Sequence, residues 1–202
     1  TLNETLNHPT WKMGKKISID SSTMMNKIFE FIEAKKIFNL KNNKLSILIH
    51  PSSYVHAIVY FKSDLIKFLA HDTSMIIPIS NALNIKLNTQ IKLTKNKLNK
   101  LNTLNFQSPK INKFPLLKVI KLIPEKSSYF ETILITINDI LVNNYLNNKI
   151  NYQSIQKNLL NFIKNQYFKK YYKLKPKNIY DIKKMIAIVK KYLEINIKNY
   201  EK

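Results

Sequence analysis

Apolar residues recur at helical spacing along the C-terminal part of the chain, from Leu116 to the end. A repeat of three and four residues places such side chains on one face of a helix, where they can form a core. The pattern therefore predicts a small all-α bundle over residues 116–202. The clearest stripes are Ile155, Leu159, Phe162 and Ile163, and then Ile179, Ile182, Ile186 and Val189.

The N-terminal part mixes strand and helix patterns. Lys16–Asp20 alternates polar and apolar side chains, which predicts a short strand. Ser21, Ser22 or Thr23 can then cap a helix that ends near Phe38. The predicted buried face of this helix is Met25, Ile28, Phe29 and Ile32.

Further along, the pattern predicts three short strands and one short helix. The strands cover residues 45–49, 54–61 and 64–70, and the helix covers 76–83. The stretch rich in Asn and Lys that follows, with prolines at 109 and 115, is typical of a long connector. We therefore predict an α+β protein with a mixed strand and helix portion over 1–83, a linker over 84–115 and an all-α helical bundle over 116–202.

Composition favours a globular, soluble protein. A hydrophobic content of 45% over 202 residues is enough apolar material for a core. No apolar run approaches the roughly 18 residues of a membrane-spanning helix. The chain begins at Thr1 without a secretory leader, and we expect it to be a piece of a longer protein. We expect a cytoplasmic location, with a plastid-type organelle as the alternative.

The net charge of +22 raises the alternative of a nucleic-acid-binding protein of the ribosomal type. All 34 basic residues are lysine, however, whereas surfaces that bind phosphates and bases usually exploit the arginine guanidinium. The lysines are also spread along the chain, together with many Asn, Ile, Tyr and Phe residues. An AT-rich genome explains this composition, and we expect no specific nucleic-acid partner and no membrane partner.

The segment from His8 to Glu33 carries the densest chemistry. Ser21 and Ser22 lie where a helix N-terminus would offer backbone N–H groups to a phosphate. Asn26, Lys27 and Glu30 follow at helical spacing, so an amide, an ammonium and a carboxylate converge beside that anion site. Each residue alone also fits a simpler role as a cap or a solvated ion pair.

A zinc site is not predicted, although the chain has four histidines. His50, His56 and His71 do not match a compact zinc-ligand spacing. The chain has no cysteine, so thiolate metal ligands, disulfides and a thiol nucleophile are excluded. Any metal would have to bind carboxylate or imidazole groups.

The whole string HPTWKMGKKISIDSSTMMNKIFEFIEA, His8–Ala34, resembles the signature HPxWxMGxKIxxDSxTMMNKxxExIEA of the 1-deoxy-D-xylulose 5-phosphate reductoisomerases. The similarity continues through LIHPSSYVHAIV at Leu48–Val59, LNTLNF at Leu101–Phe106 and the pair Asn138-Asp139. It therefore covers nearly the entire chain. One departure is Ile28, which stands where the family usually has glycine.

The resemblance implies a role for each residue of the string. It implies that His8, Ser21, Asn26 and Lys27 hold the substrate, that Glu30 contacts both substrate and metal, and that Gly14 lies near the cofactor. Trp11 and Met13 match a loop that closes over the substrate, so the implied catalytic set is His8, Trp11, Met13, Lys27 and Glu30. His56 and Met75 are implied to be supporting residues.

The implied reaction is the NADPH-dependent rearrangement and reduction of 1-deoxy-D-xylulose 5-phosphate to 2-C-methyl-D-erythritol 4-phosphate in non-mevalonate isoprenoid synthesis. The family uses a Mg or Mn ion and is expected to act as a homodimer. Its nucleotide-binding domain and two further acidic metal ligands precede the portion present here. We therefore expect this chain alone to be inactive. An inactive remnant that serves as a binding or dimerising module remains a second alternative.

Overall fold

The computed structural model describes residues 4–5, 14–85 and 95–196. These residues fall into two compact units. The first combines residues 4–5, 14–47 and 110–196, and the second combines 48–85 and 95–109. The N-terminal helices therefore share a core with the C-terminal bundle.

The regular elements are mainly helical. In chain order, the helices are α1 (Lys15–Ser22), α2 (Met25–Ile37), α3 (Ile76–Ala82), α4 (Lys95–Asn102), α5 (Phe130–Leu146), α6 (Tyr152–Lys164), α7 (Gln166–Lys169) and α8 (Ile179–Asn196). The strands are β1 (Val55–Tyr60) and β2 (Ile66–Ala70). Three 3₁₀ segments cover Asn42–Lys44, Pro115–Leu122 and Lys170–Lys173.

Helix α5 forms the centre of the first unit. It packs against α6 and α8 along its length and against α1 near its middle. Its sequence is apolar on most of its circumference, which suits a helix surrounded by others. The fully buried side chains of α5 include Ile133, Leu134, Ile137 and Leu141, and those of its neighbours include Ile155, Leu159, Val189 and Leu193.

Helices α1 and α2 meet at a sharp corner formed by Thr23 and Met24. Met24 adopts the left-handed conformation with φ 64°, which is uncommon for a residue other than glycine. Thr23 is buried and its Oγ1 donates hydrogen bonds to the carbonyl oxygens of Ile19 and Asp20. The corner is therefore held by a side chain as well as by the backbone.

The second unit is built on an antiparallel hairpin of β1 and β2, in which Ile58 pairs with Phe68. An isolated bridge joins Ile49 to Gln107, so the segment after α4 returns to the start of this unit. The hairpin exposes several large apolar side chains. They are Val59, Tyr60, Leu65, Ile66, Phe68 and Leu69.

The structure confirms the predicted α+β class and the helical C-terminal part. The strands predicted over 54–61 and 64–70 and the helix predicted over 76–83 are also present, with ends that differ by one or two residues. Among the described residues no helix is long and apolar enough to span a membrane. The domain boundaries at 83/84 and 115/116 stay predictions.

The strand predicted over Lys16–Asp20 is wrong, because these residues form most of α1. The alternation misled because the buried side of this segment is partly polar: Ser18, Ile19 and Asp20 are all buried, whereas Ile17 is exposed. Lys16 and Asp20, four residues apart, also form an ion pair that favours the helix.

The cap predicted at Ser21, Ser22 or Thr23 is also wrong. Helix α2 begins at Met25, with Met24 as its N-cap and with no capping side chain. Ser22 Oγ and Thr23 Oγ1 instead donate to Ile19 O, so these hydroxyls satisfy the end of α1. The predicted end of α2 near Phe38 is confirmed.

Smaller corrections concern two buried faces and the strand predicted over 45–49. Phe31 is buried in α2, whereas the predicted Phe29 is only half-buried. Residues 45–48 form no strand, and only Ile49 pairs. The predicted linker contains α4. The buried face of α8 is Met185, Val189 and Leu193 rather than Ile179 and Ile182, because Ile179 at the start of the helix is exposed.

Candidate functional site

Ser21 and Asn26 lie on opposite sides of the corner between α1 and α2. The Asn26 amide Nδ2 donates to Ser21 Oγ at 2.6 Å and to the carbonyl oxygen of Ile17 at 3.2 Å. One side chain in the first turn of α2 thus holds the last turn of α1. The two predicted substrate-binding residues are in direct contact.

The N-terminus of α2 opens beside this contact. The first amides of an α-helix have no partner within the helix, and here no side chain caps them. The positive end of the helix dipole adds to these donors. Asn26 and Lys27 occupy this first turn of α2, whereas Ser21 and Ser22 belong to the last turn of α1 and do not cap α2. An anion site at this helix start stays a prediction.

Lys27 and Glu30 form an ion pair on the outer face of α2. The Lys27 Nζ lies 2.8 Å from Glu30 Oε2, and both side chains are about half exposed. This geometry brings the predicted ammonium and carboxylate together. It equally fits a solvated surface pair, so the pair alone does not assign a function.

A buried polar network lies directly behind the corner. Asp20 is almost completely buried, and its Oδ1 accepts a hydrogen bond from Asn138 Nδ2 at 2.8 Å. Its Oδ2 accepts from Lys16 Nζ at 2.9 Å. Lys16 also contacts the exposed carboxylate of Asp139 at 3.0 Å. The network ties α1 to the middle of α5.

This network changes the proton affinity of Lys16. Partial burial lowers the pKa of its ammonium, but the hydrogen bonds and charges of Asp20 and Asp139 outweigh burial and raise the pKa above the ordinary 10.5. The pKa of Tyr172 is also raised, in this case by burial, and its hydroxyl donates a hydrogen bond to Ile163 O at 2.6 Å. Both groups therefore bind their protons more tightly in the folded chain than in the unfolded chain.

We predict from these shifts that stability falls at alkaline pH. The contributions of Lys16 and Tyr172 are complete below the unfolded pKa values of 10.5 and 10.0, and are lost as pH rises through the higher folded values. Thermal melts between about pH 9 and pH 12 should show no decline from these two groups below about pH 10 and a growing decline above it. The comparison variant is Lys16→Met, whose melting temperature should decline less steeply over this pH range than that of the unaltered chain. Equal slopes would contradict the assignment to Lys16.

Gly14 is the exposed N-cap of α1 and has ordinary extended geometry, with φ −63° and ψ 153°. A Cβ added there would meet no atom within 4 Å. Neither the backbone angle nor packing among the described residues therefore requires glycine. An open backbone of this kind is compatible with close approach of another molecule.

The described residues do not complete a metal site. Glu30 offers one exposed carboxylate, with one oxygen paired to Lys27. Within the described ranges no three His, Asp or Glu side chains group in a way that could hold a metal ion. Glu30 could supply one oxygen ligand, whereas hard divalent cations need several.

The two predicted supporting residues belong to the second unit. His56, on β1, stacks on His71 with 3.8 Å between ring centroids. Met75 is the exposed N-cap of α3. The predicted residues His8, Trp11 and Met13 lie outside the described residues.

Comparison with known proteins decides the relationship. A family model described as the DXP reductoisomerase C-terminal domain matches residues 71–192, and one described as the 1-deoxy-D-xylulose 5-phosphate reductoisomerase C-terminal domain matches residues 1–38. The chain belongs to the 1-deoxy-D-xylulose 5-phosphate reductoisomerase family. The family match spans both units described above.

Individual reductoisomerases agree with this assignment. The enzyme of Pelagibacter ubique is 45% identical over 185 residues, which cover 92% of this chain and 48% of the relative. The enzyme of Persephonella marina is 40% identical over 155 residues, covering 77% and 42% respectively. The chain thus spans about half the length of the curated relatives it matches.

Solved reductoisomerase structures show the same fold. A crystal structure of DOX-P reductoisomerase in complex with NADPH, fosmidomycin and magnesium superposes with a TM-score of 0.86 and 30% identity, covering 98% of this chain and 50% of the other. The Zymomonas mobilis reductoisomerase in complex with NADPH gives a TM-score of 0.77 and 27% identity, covering 94% and 47%.

The structure also shows a buried contact between two residues to which the sequence alone gave no role. Asp20 and Asn138 are buried polar residues that contact each other across 118 positions of the chain. The spacing of Lys16 and Asp20 was a usable signal, since charges four apart can pair on a helix. The contact with Asn138 had no local signal, because it depends on the packing of α1 against α5.

Proposed function

We propose that this chain is the substrate-anchoring half of a 1-deoxy-D-xylulose 5-phosphate reductoisomerase. In this proposal the complete enzyme converts the ketose phosphate to 2-C-methyl-D-erythritol 4-phosphate with NADPH and a Mg or Mn ion. The observation that carries it is the cluster at the start of α2, where the Ser21–Asn26 contact, Lys27 and an uncapped helix terminus meet. Because the chain belongs to this family, we propose that the ligand of the cluster is the phosphate group of 1-deoxy-D-xylulose 5-phosphate.

The chemistry of the cluster suits a phosphate monoester. Lys27 supplies a charge, Asn26 and Ser21 supply hydrogen bonds, and the amides of the first turn point along the helix dipole. A phosphate fixed there would orient the rest of the sugar and reduce the entropy lost on reaching the reactive geometry. Binding energy from this remote group can then lower the reaction barrier.

Glu30 and Gly14 are proposed to serve the metal ion and the nucleotide. Glu30 would provide one carboxylate ligand, and the bound metal would polarise the substrate oxygens as a Lewis acid. Gly14 would let backbone approach the nucleotide, because nothing occupies the space where a side chain would lie. NADPH supplies the hydride for the reduction. His8, Trp11 and Met13 are proposed as the substrate contact and the closing loop.

The test is to join this chain to the N-terminal half of a relative. The N-terminal half of the Pelagibacter ubique relative, joined to this chain, should oxidise NADPH only when both 1-deoxy-D-xylulose 5-phosphate and a divalent cation are present. The complete relative, produced in the same way, is the control for the assay. A fusion that folds and binds NADPH but shows no substrate-dependent oxidation would contradict the proposal and favour the inactive remnant.

We predict that this chain alone binds Mg or Mn weakly. One carboxylate from Glu30 leaves most of the oxygen ligands to water, so calorimetry should give a dissociation constant no tighter than roughly 10⁻⁴ M. The variant Glu30→Gln should be almost indistinguishable from the unaltered chain in this measurement. Micromolar binding that disappears in Glu30→Gln would show that the chain holds a complete metal site.

A homodimer is also proposed for the complete enzyme. The hairpin of β1 and β2 supports it, because several large apolar side chains exposed on one small unit are typical of an interface. A cytoplasmic location stays a prediction.

The charge gives a specific prediction about nucleic acid. If the lysines reflect genome composition, binding to RNA or DNA should be weak, indifferent to sequence and lost by about 0.15 M salt. Fluorescence anisotropy with two unrelated oligonucleotides of equal length, at several salt concentrations, measures this directly. Tight binding to one of them at physiological salt would favour the nucleic-acid-binding alternative.

A further inference from the structure

We infer that Asp20, held by Lys16 and Asn138, is a positioning residue that fixes the anion site at the start of α2. This inference deepens the proposed function and rests on it. Asp20 does not reach the substrate cluster itself. It acts through the backbone of its neighbour Ser21 and through the corner that follows.

The first step is that both carboxylate oxygens and the carbonyl oxygen of Asp20 accept hydrogen bonds. Asn138 and Lys16 each donate to one carboxylate oxygen. The Asp20 carbonyl accepts from Thr23 Oγ1 at 3.2 Å. A buried carboxylate with these partners has one arrangement, because any rotation would leave a charge unpaired inside the protein.

The second step is that this fixed residue precedes Ser21 directly. The position of the Ser21 hydroxyl is set by the backbone on which it stands, and that backbone continues from Asp20. Ser21 in turn accepts the amide of Asn26 at 2.6 Å. The chain of contacts therefore runs from the interior of α5 through Asp20 and Ser21 to the first turn of α2.

The third step is that the network is poorly explained by stability alone. Asn138 is fully buried, and its Oδ1 has no hydrogen-bond partner among the described residues. An unpaired buried carbonyl is unfavourable, and an apolar pair of similar shape could be at least as stable. A requirement for one defined geometry explains why a polar pair occupies this interface.

Three variants of the chain test the inference. Asp20→Asn removes the negative charge and nearly keeps the shape of the side chain. Lys16→Met removes one of the two side chains that donate hydrogen bonds to the Asp20 carboxylate. Asp139→Asn is the matched control, because it also removes a partner of Lys16 but is half exposed and outside the Asp20 contacts. All three should be compared well below the melting temperature of the weakest one. If Asp20→Asn does not fold, Lys16→Met carries the test.

The first readout is solvent exchange of the Asn26 side-chain amide by NMR, which needs no ligand. The exchange rate should be about tenfold higher in Asp20→Asn, because displacement of Ser21 would cost the Asn26 amide one hydrogen bond of ordinary strength. The rate should be unchanged in Asp139→Asn. The second readout is the inorganic phosphate titration of the Asn26 and Lys27 backbone amides. Its dissociation constant should rise roughly three- to tenfold in Asp20→Asn.

The outcomes separate the two ideas. If Asp20→Asn lowers the melting temperature while both readouts match the unaltered chain, Asp20 is merely structural and the inference fails. If phosphate does not perturb these amides in the unaltered chain but the exchange rate still responds to Asp20→Asn, positioning of the corner stands and the proposed anchor fails. Parallel changes in both readouts support both.

Discussion

Replacing Lys27 with alanine is expected to lower kcat/KM at least tenfold in an enzyme completed with the N-terminal half of a relative. A charge-assisted contact to a phosphate is worth on the order of 1.5–3 kcal/mol, and a tenfold change corresponds to about 1.4 kcal/mol. Because the phosphate is remote from the reacting carbons, its loss should lower kcat as well as raise KM. Steady-state kinetics with the ketose phosphate measures both constants.

The matched control is Lys36→Ala. Lys36 lies on the same helix, α2, and its side chain is about as exposed as that of Lys27 and pairs with Glu131 at 3.1 Å. Lys36 lies in the last turn of α2, away from Asn26, so its loss should change kcat/KM by less than about twofold. Because its partner Glu131 is buried, this variant is expected to lower the melting temperature. If Lys27→Ala behaves in the same way and only the melting temperature falls, Lys27 is a surface residue and not an anchor.

The contact between Lys27 and Glu30 has a consequence for the assembled site. The Lys27 Nζ and the Glu30 Oε2 lie 2.8 Å apart. A phosphate near Lys27 and a cation near Glu30 would replace that pair with two stronger partners. Glu30→Gln would remove the charge that pairs with Lys27 and leave Lys27 in place.

The sequence predicted which residues of the candidate site share a helix, but it did not predict where that helix begins. Asn26, Lys27 and Glu30 do share the first turns of one helix, as their spacing indicated. The anion site was placed at Ser21 and Ser22, because hydroxyl residues before an apolar stripe resemble an N-cap. Met24 adopts the left-handed conformation, and α2 therefore begins at Met25 instead of directly after the serines. No local sequence pattern predicts that conformation.

The fold shows the same division between local and long-range information. The two strands of the hairpin and the stripe of α6 follow from periodicity, which depends only on neighbouring residues. The segment Lys16–Asp20 was misread because a buried aspartate looks like an outward-facing residue until its partner Asn138 is known. That partner is brought near by packing of α1 on α5, which sequence spacing does not contain.

Replacing Ile28 with glycine is expected to destabilise this chain by about 3–6 kcal/mol. Ile28 is fully buried in α2. Loss of such a side chain costs about 2–5 kcal/mol, and glycine in a helix interior adds about 1 kcal/mol. Denaturant unfolding measures the change, and the loss is comparable to the whole stability of many domains.

The control is Ile135→Gly, which makes the same substitution at an exposed position inside α5. Ile135 is 43% exposed, so this variant should lose roughly 1–2 kcal/mol, from helix propensity and from the part of the side chain that is covered. Ile28 and Glu30 are two residues apart and therefore point about 200° apart around the helix. The isoleucine consequently fills the core while Glu30 stays exposed. Equal losses in the two variants would show that Ile28 contributes little to the core.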